Sequence, residues 1–174
     1  MADPVFGVLG NLVVRGRSGE VAIGGRRRRG LLTYLLFHRG SRVSTDAVCD
    51  DLWAGKPPPS AIGTVRTYIS QFRKLEVDGA GLTISADSNG YRVDVGPDDL
   101  DLDRFERLLA DASSASGDER LARLEDALSL WRGPPAAEFA GEEWADREAR
   151  RLELQCTVAR QDRFGVLLEL GRHD

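Results

Sequence analysis

Cysteine is scarce in this 174-residue chain, and the two present, Cys49 and Cys156, lie far apart and form no C-x-x-C. Neither a disulfide framework nor a zinc site follows from them. Cys49 falls on an apolar helical stretch and reads as a small core residue. Histidine is equally rare: His38 and His173 lack partners at metal-ligand spacing, and neither reads as catalytic. Lysine is confined to Lys56, set against a proline run, and Lys74. No apolar run approaches the roughly 20 residues of a membrane span, and the start lacks the basic and apolar regions of a signal peptide. No membrane partner and a cytoplasmic location are therefore expected. Also missing are G-x-x-x-x-G-K-[ST], G-x-G-x-x-G after a strand, G-x-S-x-G and H-E-x-x-H. The acids of residues 98–103 cluster on a linker before a helix, where they favour the N-terminal dipole. With no catalytic constellation, the chain reads as a non-enzyme without cofactor or metal.

What is present is a chain able to fold. A hydrophobic content of 41% suffices for a packed core and argues against wholesale disorder. The formal net charge of −4 hides a split. Residues 1–95 hold 13 Lys/Arg against 9 Asp/Glu, a net of +4, and residues 96–174 hold 11 against 19, a net of −8. Binding to a polyanion follows the local field rather than the chain total, so the first half suits nucleic acid and the second avoids it.

The most telling window is Ser60–Leu75. Ile62, Val65, Ile69 and Phe72 recur as one stripe of a helix. The opposite face carries Thr64, Arg66, Thr67, Ser70, Gln71, Arg73 and Lys74, with no acid until Glu76. Such a face meets phosphates and base edges without repulsion. The stretch Leu82–Val95 then reads as two short strands around Asn89-Gly90, a turn in which glycine supplies the positive φ.

Upstream, Phe6–Leu9, Leu12–Arg15 and Glu20–Ile23 read as a small antiparallel sheet. Arg26–Arg39 reads as a first helix, with Leu31/Leu35 and Leu32/Leu36 stacked and Gly40 as a stop. Ser44 is the expected N-cap of a second helix running through Leu52-Trp53, with Val43 and Val48 as its hydrophobic staple. Pro57-Pro58-Pro59 then forces an extended break. Beyond Gly96-Pro97 everything reads as helix. Leu102, Phe105, Leu109 and Ala112 form one stripe; Leu121, Leu124, Leu128 and Trp131 form another. A third helix runs from about Gly141 to Leu170. The expected fold is mainly α with small antiparallel β: a winged helix-turn-helix, then an all-α, tetratricopeptide-like domain. Trp53, Trp131 and Trp144 read as core anchors.

Eight motifs in order carry a family resemblance. They are Phe6-Gly-Val-Leu-Gly10, Gly24-Gly-Arg-Arg-Arg-Arg-Gly-Leu-Leu32, Val43-Ser-Thr-Asp46, Asp51-Leu-Trp53, Pro57-Pro-Pro-Ser-Ala61, Tyr68-Ile-Ser-Gln-Phe-Arg-Lys-Leu75, Asn89-Gly-Tyr-Arg92 and Leu128-Ser-Leu-Trp-Arg-Gly133. Over nearly its whole length the chain resembles the SARP regulators, antibiotic-pathway activators of actinobacteria. The resemblance implies an OmpR-type winged-helix DNA-binding domain over 1–95 and a bacterial transcriptional activator domain over 96–174, the latter expected to be incomplete. It also implies binding to direct repeats upstream of promoters as side-by-side protomers, recruitment of RNA polymerase holoenzyme, and control of an antibiotic or secondary-metabolite pathway. Two departures bear on DNA contact: Gln71 stands where the family often has Arg, and Asp87 near where a basic residue is common.

The candidate DNA-binding residues are therefore Thr64, Arg66, Thr67, Ser70, Gln71, Arg73, Lys74, Asn89 and Arg92. Arg66, Thr67, Ser70 and Gln71 are the groove-facing set, and Gln71 suits adenine through two hydrogen bonds. Arg73 and Lys74 read as phosphate clamps, Asn89 as first a turn residue, and Arg92 as a candidate for a minor-groove phosphate. The run Arg26–Arg29 opposes the macrodipole of the helix it opens, which leaves two readings, a phosphate contact or a solvated or interfacial cluster. The rival function is a protein-interaction adaptor whose winged helix no longer binds DNA.

Overall fold

Helix α1 (Arg26–Phe37) is buried on every side from Gly30 to Phe37, and the rest of the molecule is assembled around it. The computed structural model describes residues 4–16, 19–77 and 82–172. The first helix ends two residues sooner than expected, with His38 as its cap. Gly40 then takes a φ of 73° and donates its N–H to the Val93 carbonyl at 2.8 Å, which turns the chain alongside the Gly90–Val95 segment.

Strands β1 (Phe6–Gly7), β2 (Val13–Gly16) and β3 (Gly19–Glu20) form an antiparallel sheet in that order, Phe6 opposite Val14 and Arg15 opposite Glu20. The first strand is shorter than expected because the N–H groups of Val8 and Leu9 go elsewhere. Both are taken by the Asp101 carboxylate, at 2.9 and 3.0 Å. The third ends at Glu20, and Ile23 turns into the core ahead of α1.

A two-residue strand that periodicity did not reveal, β4 (Arg42–Val43), precedes α2 (Thr45–Leu52). Ser44 caps α2 by accepting the Ala47 N–H at 3.1 Å, and Val43 and Val48 are both buried, as the capping signature requires. After the proline run comes α3 (Ala61–Val77), then β5 (Leu82–Asp87) and β6 (Gly90–Val95), in a sheet ordered β4-β6-β5. This is a winged helix-turn-helix.

The remainder is helical: α4 (Asp101–Ser114), α5 (Gly117–Ser129), a single 3-10 turn at Ala137–Phe139, and α6 (Glu143–Glu169). Helix α5 packs between α4 and α6, in helical-hairpin fashion. Chain composition changes after Val95, but the apolar packing does not stop there. One core cluster joins Phe6, Leu31 and Phe72 to Phe105, Phe139 and Trp144. A smaller one lies among α4, α5 and α6 around Leu121, Leu124 and Val166. Of the three tryptophans only Trp144 is fully buried; Trp53 and Trp131 are partly exposed.

The boundary is stitched by charge as well. Asp101 opens α4, yet it does more than face the dipole. It is 1% exposed and accepts bonds from Val8, Leu9 and Arg132. Arg39, just past α1, reaches Asp103 and Glu106 on α4, both at 2.5 Å.

Candidate nucleic-acid interface

The third helix is held by Ala61, Val65, Ile69 and Phe72, all buried against α1, α2 and the hairpin. Ile62 was expected in that stripe but is 39% exposed. It sits at the stripe's edge, about 60° from Val65 at 3.6 residues per turn, and Ala61 takes the inward position. Gly63, Thr67, Ser70 and Lys74 follow one another along the outermost ridge, and all are exposed. At Gly63 a side chain would meet open space.

Two borders flank this ridge. Arg66 and Arg73 lie on the side toward the hairpin, and Thr64 and Gln71 on the side toward α1. Arg66 is exposed, whereas Arg73 donates its Nε–H to the Ile84 carbonyl of β5 at 3.2 Å. That bond ties the helix to the hairpin and holds the guanidinium beside it. Thr64 and Thr67 give their hydroxyl protons to the carbonyls of Ser60 and Gly63, both at 3.0 Å. Each therefore offers outward an acceptor oxygen and a methyl, the complement of a base amino group or a thymine methyl.

Gln71 is exposed but not free. Its Oε1 accepts from Arg28 Nη1 of α1 at 3.1 Å. The basic run that opens α1 thus divides its four side chains. Arg26 bonds Glu142 at 2.7 Å, and Arg27 lies over the Trp53 ring at 4.5 Å. Arg28 reaches Gln71, and Arg29 bonds both Glu138 and the Leu12 carbonyl. Of the two readings of this run, the structure favours the interfacial cluster for Arg26 and Arg29. The Glu138 carboxyl is pushed up by burial, but Arg29, the Leu12 N–H and the charge of Arg26 outweigh this and hold it below the ordinary range.

The hairpin differs from its expected form in one respect. Its two-residue loop is Ser88-Asn89, since Asp87 pairs directly with Gly90. Asn89 donates its N–H to the Asp87 side chain at 2.8 Å, a local turn bond. Gly90 has a φ of 137°, but proximity is what demands glycine: a Cβ there would collide with the Val43 carbonyl of β4. Asp87 also pairs with Arg42, which stands opposite Arg92 across β4 and β6. Arg92 in turn is bound by Asp94, its Nε at 3.0 Å and its Nη2 at 2.9 Å. Their bond raises the Arg92 pKa and lowers that of Asp94. The hairpin charges are thus internally compensated, whereas Arg66 and Lys74 of α3 have no charge partner among the described residues. Arg28 and Arg42, which organise the edges of this surface, have no local sequence signal that singles them out. Their importance comes from residues distant in the chain.

Among the described residues no helix is long and apolar enough to cross a membrane, and no three His, Cys, Asp or Glu are grouped to hold a metal ion.

Residues 100–174 match the family model of the bacterial transcriptional activator domain. The chain is 34% identical to the regulatory protein AfsR of Streptomyces griseus over 175 residues, 97% of this chain and 17% of AfsR. It is 31% identical to the regulatory protein DnrI of Streptomyces peucetius over 182 residues, 95% of this chain and 65% of DnrI. The fold is similar to that of Mycobacterium tuberculosis EmbR, solved in complex with a low-affinity phosphopeptide, with a TM-score of 0.86 and 27% identity over 96% of this chain and 46% of that one. The chain thus spans less than two thirds of the length of each of these relatives. A winged helix joined to an activator-domain match, with alignments to these regulators spanning nearly the whole chain, places the chain: it belongs to the SARP family of transcriptional regulators.

Proposed function

We propose that this protein is a sequence-specific, double-stranded DNA-binding activator of transcription, with α3 in the major groove and the β5–β6 hairpin against the neighbouring backbone. One observation carries the reading. Over Ala61–Leu75 the exposed face of α3 holds Arg66, Arg73, Lys74, uncharged polar residues and Ile62 at its edge, and not one acid, and a hairpin flanks it. A helix of this kind fits the roughly 12 Å major groove and offers donors and acceptors to base edges.

The unit over 1–95 carries this contact, and the helical unit over 96–174 carries protein contacts, in line with its net charge of −8. Two protomers sit side by side on direct repeats and assist RNA polymerase holoenzyme at promoters of an antibiotic or secondary-metabolite pathway in the cytoplasm. A single winged module buries only about 600–1,000 Å², which makes a second protomer valuable for specificity. The paired hairpin charges favour a second reading, an adaptor that has lost DNA binding.

Selection from a random duplex pool, followed by gel-shift titration at several salt concentrations, separates the two. Enrichment of a repeated site, with affinity falling steeply with salt, supports the DNA-binding reading. Failure to retain any duplex at low salt leaves the adaptor. Inserting about five base pairs between recovered repeats puts the protomers on opposite faces, and unchanged cooperativity there would rule out the tandem arrangement.

A further inference from the structure

We propose that Arg28 is a positioning residue for base readout: by holding the Gln71 oxygen it makes Gln71 a hydrogen-bond donor that selects guanine over adenine. This rests on the DNA-binding reading above and goes beyond it, since neither the location of α3 nor the family match assigns an orientation to this amide.

Arginine has five N–H donors and no acceptor. An amide meeting a guanidinium must therefore turn its oxygen toward it, so the Oε1 that accepts from Arg28 Nη1 at 3.1 Å is assigned by chemistry as well as by position. Arg28 stands on α1, at the inner border of the α3 face. With the oxygen turned back toward α1, the Nε2 group is left as the outward end of the amide. Arg28 is only partly exposed, and its Nε is buried without a hydrogen-bond partner among the described residues.

The consequence is a change of code. Glutamine reads adenine by accepting from N6 and donating to N7 together, which needs oxygen and nitrogen presented side by side. An amide anchored by its oxygen presents N–H donors instead. Guanine offers acceptors at both O6 and N7, whereas adenine offers one acceptor and a donor. The pairing of Arg28 with Gln71 thus converts a residue type associated with adenine into one suited to guanine. It also gives Arg28 a role that no phosphate contact would explain.

The test uses the full chain and specificity profiles from a random duplex pool for the wild type, Q71A, R28M and the Q71A/R28M double variant, each with a thermal melt and a salt series. R28M keeps the apolar stem and removes every donor, and R28K, which restores a cationic N–H donor group without the planar fork, serves as the conservative variant. Q71A identifies the contacted position by erasing preference there. At that position the wild type is expected to favour guanine over adenine by about tenfold, the scale of a well-made base contact. R28M should bring the ratio to about one or invert it, at unchanged salt slope; R28K should restore part of it, and the double variant should match Q71A.

Three results would overturn the assignment: adenine preferred at that position by the wild type, an R28M profile superimposable on the wild type, or a uniform loss with a salt slope lower by about one. The last would make Arg28 a phosphate contact. If R28M loses the folded state, R28K decides by the same readout. A wild type that selects no sequence overturns the DNA-binding reading together with this one.

Discussion

Glu138 holds Arg29 with both carboxylate oxygens, Nε at 2.5 Å and Nη2 at 2.7 Å, across the junction between the winged helix and the helical half. The same carboxylate accepts the Leu12 N–H at 3.1 Å, and the same guanidinium donates to the Leu12 carbonyl at 2.8 Å. Three segments distant in sequence therefore meet at one paired charge, sheltered on both sides.

Glu138→Ala should lower stability by about 1–3 kcal/mol, because it strands the Arg29 guanidinium and the Leu12 N–H together. Urea unfolding at constant m checks this. The pH dependence has a definite sign. The folded carboxyl titrates below its ordinary value of 4.5, so the unfolded chain binds more protons in that window. The stabilisation is present above 4.5 and is lost as pH falls through the folded value. Glu138→Gln should flatten this acid limb, and an unaltered limb would show that the ion pair contributes nothing.

Gly90→Ala should disrupt the hairpin. The added Cβ would strike the Val43 carbonyl, and the φ of 137° is one that alanine rarely adopts. A loss of about 2–4 kcal/mol is expected, with exchange protection falling first in β4 and β6. A variant with wild-type melting would mean that β4 yields easily.

This glycine shows where sequence reading succeeded and where it stopped. Its place near a turn was visible from Asn89-Gly90, but the demand for glycine comes from β4, a two-residue strand 47 positions upstream with no periodicity to detect. Signals carried within one element were legible: the Val65, Ile69 and Phe72 stripe, the Ser44 cap and the buried leucines of α1. Signals that depend on a distant partner were not. Asp101 reads as one acid of a cluster until Val8 and Leu9 approach it, and the four arginines of α1 differ only by what each meets. For the candidate DNA surface, residue types and face were readable, whereas the bonds to Arg73, Gln71 and Arg92 needed coordinates.

Arg66 and Lys74 should separate specificity from affinity. Arg66→Ala is expected to relax preference at one base pair at a cost of about 1–3 kcal/mol. Lys74→Ala should weaken all sequences alike and reduce the salt slope by about one. Swapped behaviours in a specificity profile would mean that the helix lies in the groove with the opposite tilt.

Asp94 gives a gain-of-binding test. Arg92 projects from β6 on the hairpin that flanks α3, yet its guanidinium is occupied by Asp94. Both side chains are nearly half exposed, and exposed pairs of this kind contribute little to stability. Removing the acid should therefore leave folding almost unchanged while releasing a cation beside the proposed DNA surface. Asp94→Ala is expected to tighten binding to every duplex at low salt and to steepen the salt dependence by about one unit, as one more phosphate is engaged. Asp94→Asn should do the same with the side-chain shape kept. In the Arg92→Ala background neither change should have any effect beyond the removal of a nearby negative charge. An Asp94→Ala protein with wild-type affinity and slope would place Arg92 outside the reach of DNA, and the hairpin would then serve to brace α3 through Arg73 rather than to touch the duplex.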